Sequence, residues 1–383
     1  MKLTQICFGC GMLLLKAAGL VADDSIEPYA AVHAHRLLVR DDKNRDGRLD
    51  PEECGRRWPQ LSHLDANGDG ALDETELCRA PVAYLSSPGR QRRNVLYKHT
   101  RHEDLFLDIY YPPGDSSAPF PVVIYTHGGG WVTGSKQSIA VGPASLVARK
   151  LLDDGFCVVS VNYRLCNSDA GVVIRDCVID AKDAVRYLAT NAVEFGLDAS
   201  RFHAFGDSAG GQIAQMLVLT PAESLAGEPA LAGVKYRMCG GVSWYGPSDF
   251  ERTELFNHDD RPDFRDRFGA RILPQQADQG EKIQRYREMS PVTYLTAGSP
   301  PLLVIQGDAD TTIPVKHARF LVQRADETKA PVEAIIVQHA GHNWRAAGGT
   351  PEPSVNEIVD ATVEFITSAC SSCASARTGR RGR

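Results

Sequence analysis

The sequence predicts an α/β protein, a mostly parallel sheet covered by helices on both faces, with a small helical module in front of it. Three observations predict this. From about Val95 onward, short apolar runs alternate with helix-periodic stretches, the signature of successive βα units. Ahead of that region stand two acidic twelve-residue windows, each with a glycine at its centre. The chain is also large enough, at 383 residues with 43% hydrophobic and 23% charged, to bury a full core and carry an extra module.

Taken in chain order, the first element is a leader. Lys2 precedes the apolar stretch Ile6 to Leu15, and the small residues Ala17, Ala18, Gly19 and Ala22 follow. That layout predicts a signal peptide over residues 1–22, cleaved between 19 and 22, and a secreted, periplasmic or cell-surface protein. The apolar run is too short for an integral membrane span. Ten cysteines suit an exported chain, with Cys54 and Cys78 on either side of the second acidic window and Cys370 and Cys373 near the C-terminus. Spacing does not fix their pairing, and none has a zinc-ligand pattern around it.

The module, residues 23–80, holds "DKNRDGRLDPEE" (Asp42 to Glu53) and "DANGDGALDETE" (Asp65 to Glu76). Each places oxygen ligands at loop positions 1, 3, 5 and 9, glycine at 6 and glutamate at 12, which is the EF-hand calcium loop. The first loop offers Asp42, Asn44, Asp46, Asp50 and Glu53 with the Arg48 carbonyl. The second offers Asp65, Asn67, Asp69, Asp73 and Glu76 with the Ala71 carbonyl. Only Cys54 to Leu64 separates the two, so one short shared helix is expected between them. Fourteen acidic residues face eight basic ones over Asp23 to Ala80, an imbalance most of which two calcium ions would offset. Their expected role is structural, and no cofactor is expected in catalysis.

After a linker over 81–94, the body spans 95–370. Strands are expected at Phe106–Tyr111, Val122–Thr126, Cys157–Asn162, Phe202–Phe205, Gly241–Tyr245, Leu302–Gln306 and Val332–Gln338. Helices are expected around Ser145–Asp154, Val173–Phe195, Ala209–Leu219, Val315–Arg324 and Val355–Thr367. Residues 371–383 read as a disordered basic tail. A net charge of -6 gives no reason to expect a nucleic-acid partner.

Within the body, "GDSAG" sits where a strand hands over to a helix, and Gly206 and Gly210 flank Ser208 as a nucleophile elbow requires. Upstream, the Val122–Thr126 strand runs into "HGGGW", whose backbone amides can turn into a pocket unobstructed by side chains. Gly129 and Gly130, with Gly128 as a further candidate, joined by Ala209, are the expected oxyanion donors; His127 reads as a brace for that loop. Downstream, Asp308 and Asp310 end one strand, and His339 and His342 end another. A serine hydroxyl needs a histidine to take its proton and a carboxylate to orient that histidine. Trp131, Trp244 and Tyr245 are candidates for lining a substrate pocket.

The stretches "HGGGWVTGSK", "FGDSAGGQIA", "GDADTTIP" and "AGHNW" resemble α/β-hydrolase esterases. The nearest are the hormone-sensitive-lipase-like group and the carbohydrate esterases that remove feruloyl or acetyl groups from polysaccharides. The resemblance covers roughly Val95 to Cys370 and implies an α/β-hydrolase fold. It also implies a serine esterase acting on an ester substrate, polysaccharide-linked in the carbohydrate esterases, with Ser208, Asp310 and His342 as the triad. In that family the acid belongs to a motif matched by "DTTIP", and the histidine directly follows a glycine. The lipase-like helical cap has no counterpart here, and a charged insertion over 247–289 is a candidate rim. The "GDADTTIP" and "GHNW" ends are also similar to prolyl-oligopeptidase-like peptidases, and a catalytically dead calcium-dependent scaffold is the third reading.

Overall fold

The computed structural model describes residues 28–380 apart from 115, 117, 263, 265, 267, 275 and 276. The expected signal peptide lies outside the described residues. Eight strands form the main sheet: β1 (Gln91–His99), β2 (Asp104–Tyr110), β3 (Phe120–Thr126), β4 (Cys157–Val161), β5 (Leu197–Asp207), β6 (Met238–Trp244), β7 (Leu302–Gly307) and β8 (Val332–Val337). Their spatial order is β8-β7-β6-β5-β3-β4-β2-β1. Every pair from β4 through β3 to β8 is parallel, and the two N-terminal strands join antiparallel. The crossover helices that parallel strands need supply the cover on both faces.

Among the described residues seven helices are longer than ten residues: α1 (Pro28–Asp41), α2 (Gly142–Asp153), α3 (Ile174–Thr190), α4 (Ala209–Leu219), α5 (Gln279–Met289), α6 (Lys316–Thr328) and α7 (Val355–Arg380). Strand β3 shows why the sheet needs two layers. Its Val122 and Ile124 join the core under α3 and α4, while Val123 and Tyr125 join the core under α2 and α7. Both sets are buried because side chains of a strand alternate between faces.

Three expectations need correction. The segment read as a linker ends early, because β1 begins at Gln91 and pairs with β2. Its sequence, QRRNVLYKH, is polar because it is an edge strand, where charge discourages further pairing. The expected disordered tail is helical as far as Arg380, since α7 continues through it, and Cys373 is tied to Cys239 at the start of β6 by a disulfide. Finally, Pro51–Leu64 is a run of four short α and 3-10 turns, not one helix. Gly55, at φ +53°, ends the first, and Pro59 lacks the amide that a longer helix would need.

The N-terminal module has its own small core of Leu49, Leu61, Leu64, Leu72 and Leu77. A two-residue antiparallel ribbon, Arg48–Leu49 with Leu72–Asp73, ties its loops together. Helix α1 packs onto the body, where Tyr29 meets Phe106 and donates to Gln137 at 2.6 Å. No helix among the described residues is long and apolar enough to cross a membrane.

Candidate active site

Ser208 stands at the end of β5 with φ +53° and ψ -119°, immediately before α4. That left-handed backbone is costly for a residue with a side chain, and its surroundings hold it there. A Cβ on Gly206 would come 2.2 Å from the Gly210 carbonyl oxygen, and one on Gly210 would come 2.0 Å from that of Thr126. Only glycine permits a turn this tight, and the turn lifts Ser208 to the C-terminal edge of the sheet.

His342 Nε2 lies 3.1 Å from Ser208 Oγ, and His342 Nδ1 lies 2.7 Å from Asp310 Oδ2. Asp310 is 3% exposed. Its Oδ1 accepts from the amides of Thr312 and Ile313, and Oδ2 also accepts from Gln306 Nε2. Asp308 does something else, accepting from the Ala340 amide at 3.2 Å and so tying together the turns after β7 and β8. His339 is exposed on the far side of its turn. Serine, histidine and carboxylate thus meet from three separate strand ends.

The glycine loop folds over this line. Gly129 and Gly130 have φ of +118° and +60°, and among the described residues neither amide donates to a protein acceptor. The Ala209 amide is the first of α4 and has no acceptor within that helix. These three N–H groups are therefore free for a developing oxyanion. Gly128 is excluded, because its amide donates to Asp207 Oδ1 at 3.1 Å. His127 is fully buried, stacked on Tyr163 at 4.2 Å, with Nδ1 2.8 Å from the Gly128 carbonyl. Burial holds it at a pKa of about 3, so it braces the loop as a neutral ring and carries no acid-base role.

Three residues without a role in the sequence reading support the loop. Asp207 accepts from Tyr125 Oη at 2.6 Å as well as from Gly128, and burial raises its carboxyl. Its signal is its place inside G-x-S-x-G. Lys136, at the end of "HGGGWVTGSK", is fully buried and gives its ammonium to both oxygens of Asp108 at 2.7 Å. Arg36 comes from α1 of the N-terminal module and donates to the carbonyls of Gly134 (2.9 Å) and Tyr163 (2.8 Å) while pairing with Glu103. Nothing local in the sequence marks Arg36.

A cavity of about 370 Å³ opens over the triad, walled by Trp131, Phe268, Arg271 and Ile313. Phe268 and Arg271 come from the 247–289 insertion, which therefore forms a rim of the site. Trp131 lines the cavity as expected from its position. Trp244 does not. It is 1% exposed, packs against Phe205 and Trp344, and donates to Thr362 of α7. Strand alternation turns it to the opposite face of the sheet. Tyr245 packs its ring 4.7 Å from His342 and holds that imidazole from behind, outside the cavity lining.

In the module, each acidic loop is wound about its own oxygens. Glu53 Oε1 accepts from Lys43 and Asn44 amides, and Asp42 from those of Arg45 and Gly47. Glu76 and Asp65 repeat the arrangement in the second loop. Asp50 and Asp73 cap the short helices that follow, with Glu53 and Glu76 completing capping boxes. Asn44 and Asn67 accept from the amides of Asp46 and Asp69. Asp69 pairs with Arg48 of the other loop, while Asp46 and Asp69 accept from the amides of Arg48 and Ala71. The donor set, carboxylates, amides and carbonyls, is chemically suited to a hard cation. Among the described residues, however, no three acidic, His or Cys side chains converge on one point.

Residues 107–325 match the BD-FAE family. The chain belongs to that family. This BD-FAE member is 31% identical over 269 residues to a probable carboxylic ester hydrolase, LipM, of Mycobacterium tuberculosis, covering 66% of this chain and 59% of that one. It is 27% identical over 259 residues to esterase LipC of the same organism, covering 67% and 61%. It thus spans about three fifths of the length of these curated relatives. Among solved structures, native esterase 2 of Thermogutta terrifontis superimposes with a TM-score of 0.59 at 23% identity, over 76% of this chain and 95% of that one. A truncated carbohydrate esterase from gut microbiota gives 0.59 at 23%, over 76% and 100%. The fold of this BD-FAE member is that of the α/β-hydrolase esterases.

Proposed function

We propose that the protein is an exported serine carboxylic-ester hydrolase that works through an acyl-enzyme. The observation that carries this reading is the unbroken line from Asp310 through His342 to Ser208, at 2.7 and 3.1 Å, beside three unengaged backbone amides. His342 takes the proton as Ser208 Oγ attacks the ester carbonyl, and Asp310 holds the imidazole in the required tautomer. Amides of Gly129, Gly130 and Ala209 stabilise the tetrahedral oxyanion, and His342 returns the proton to the leaving alcohol. Water repeats the cycle on the acyl-enzyme.

Acetyl or feruloyl esters of polysaccharides are the proposed substrates, supported by the structural likeness to a carbohydrate esterase. Export is supported by the disulfide between Cys239 and Cys373, a bond that persists in oxidising compartments. Two calcium ions in the acidic loops are proposed as structural, supported by the matching hydrogen-bond patterns of the two loops. Replacing Ser208 with alanine tests the hydrolase reading. Turnover of a short-chain aryl acetate should fall by about three orders of magnitude or more while the fold survives, and an aminoacyl anilide should be a poor substrate of the parent enzyme. A variant that keeps most of its ester turnover, or a parent that prefers the anilide, removes the reading.

A further inference from the structure

Cys166 and Cys177 bring two thiol sulfurs within 3.7 Å of each other behind the wall of the triad cavity. Among the described residues no other two of the six free cysteines have sulfurs in contact. The fold makes the meeting. Cys166 lies in the loop after β4 and Cys177 near the start of α3, and a bridge between Asn167 and Val172 turns the intervening chain back on itself. Cys166 is half-buried and Cys177 fully buried. We propose that this pair is a modification site, a redox-sensitive dithiol that a small-molecule disulfide such as glutathione disulfide converts to a disulfide, and that the conversion loosens the rim of the catalytic cavity. The effect on the rim rests on the ester-hydrolase reading; the disulfide itself does not.

The two thiols differ in the way a stepwise exchange needs. Cys177 donates to the Arg164 carbonyl at 3.0 Å, and burial pushes its thiol well above the usual range, so it does not open the reaction. Cys166 meets solvent. Its thiolate attacks one sulfur of glutathione disulfide, forms a mixed disulfide and releases one glutathione thiolate, which takes the proton of Cys177. The Cys177 sulfur then attacks Cys166 Sγ and expels the second glutathione. Two protein thiols and one glutathione disulfide thus become one protein disulfide and two molecules of reduced glutathione. The sulfurs must close from 3.7 Å to a bond of about 2.05 Å, a movement within reach of rotation about one Cα–Cβ bond. The rim follows from what Cys166 touches. Its amide donates to the Trp131 carbonyl at 2.7 Å, and its Sγ donates to the Arg271 carbonyl at 3.8 Å. Trp131 and Arg271 both wall the triad cavity, and Arg271 Nη1 reaches on to the Gly130 carbonyl at 3.1 Å. A disulfide sulfur has no hydrogen to donate, so the short helix Gly269–Ile272 that carries Arg271 loses one tie to the loop behind it. The Trp131 tie, made by a backbone amide, stays. The oxidised cavity therefore yields on its Arg271 side and admits a longer acyl group.

Trypsin separates the two cysteines, because cleavage after Arg164, Arg175 and Lys182 leaves them on peptides 165–175 and 176–182. After mild reduction and then exposure to glutathione disulfide, mass spectrometry of the unreduced digest should find these two peptides joined. Cys177→Ser should stop at a glutathione mixed disulfide on Cys166. Cys166→Ser, which keeps the disulfide between Cys239 and Cys373, should give neither product. Peptides that stay unlinked in the parent under excess glutathione disulfide overturn the site. Oxidation of the parent should also raise the ratio of kcat/KM for p-nitrophenyl hexanoate to that for p-nitrophenyl acetate by about threefold or more, mainly through KM, and leave the ratio of Cys166→Ser unchanged. Once the linked peptide has formed, a ratio within about 1.5-fold of the reduced parent, or the same rise in Cys166→Ser, overturns the effect on the rim. Absence of Ser208-dependent turnover of any ester would instead overturn the hydrolase reading and the rim effect with it, whereas the linked peptide is read without turnover.

Discussion

Asp308 and Asp310 are two residues apart, yet one closes a turn and the other serves a histidine. The difference lies in what each carboxylate accepts. Asp310 is held by two amides and Gln306, and its remaining capacity points at His342 Nδ1; Asp308 spends its Oδ1 on the Ala340 amide. Asp310→Asn should therefore lower kcat for an aryl acetate by about four orders of magnitude, because an amide can stabilise the wrong tautomer. Asp308→Asn should cost less than about tenfold, through the turn alone. The same assay separates His342→Ala from His339→Ala, and a reversed order in either pair would move the triad. At this scale the sequence was informative where chemistry is local. Ser208 announces itself by the glycines beside it, and the acid and base by strand ends. Asp207 escaped notice because its partners, Tyr125 and Gly128, lie some eighty positions away, and Trp244 was misread because its face of the sheet depends on the strand's register.

Between elements, the decisive contact is the one between α1 and the glycine loop. The acidic loops precede the catalytic body in sequence, which suggested a module indifferent to turnover, but Arg36 of α1 is 4% exposed and bonds the Gly134 and Tyr163 carbonyls. Tyr163 in turn donates to the His127 carbonyl at 2.6 Å. The module thus supports the backbone that aims the oxyanion amides. Lysine at position 36 keeps a charge for Glu103 but lacks the planar fork needed to reach both carbonyls and the carboxylate. Arg36→Lys should lower kcat for an aryl acetate by about ten to a hundredfold with KM little changed, since a missing oxyanion donor costs about a hundredfold or more. Loss of folding stability with kcat intact would make Arg36 a purely structural tie. The parallel strands β3 to β8 were legible from their apolar runs, each buried on both faces. The edge strand β1 was not, because an edge is permitted to be polar, and Asn94 at φ +53° breaks its alternation with a bulge.

For the molecule as a whole, fold and triad were readable because burial and motif repeat themselves along the chain, whereas the contact between module and body belongs to neither segment alone. The same packing sets how stability responds to acid. His33, His127, His203 and His317 are all buried and held below the free value, at about 4, 3, 4 and 3, chiefly because burial disfavours the imidazolium. The unfolded chain binds protons at these sites from about pH 6.5 downward, whereas the folded chain does not until near pH 4. A depressed folded pKa therefore contributes stability that is complete above pH 6.5 and is lost as pH falls toward 4. Each histidine contributes a slope on the order of 1 kcal/mol per pH unit in that window. Asp207 and Asp249, raised by burial, act in the opposite sense, but they are two groups against four. The urea midpoint should fall gently between pH 8 and 7, where burial keeps Lys182 at about 7 while the unfolded chain already carries that proton, and steeply between pH 6 and 4. His317 accepts from the Ser248 amide at 3.3 Å, so His317→Asn keeps an acceptor in that place and removes one titrating ring. Its stability curve should be shallower than the parent's by one histidine's share. A parent midpoint that is flat from pH 7 to pH 5 would show that these rings take up protons in the folded protein as readily as in the unfolded chain.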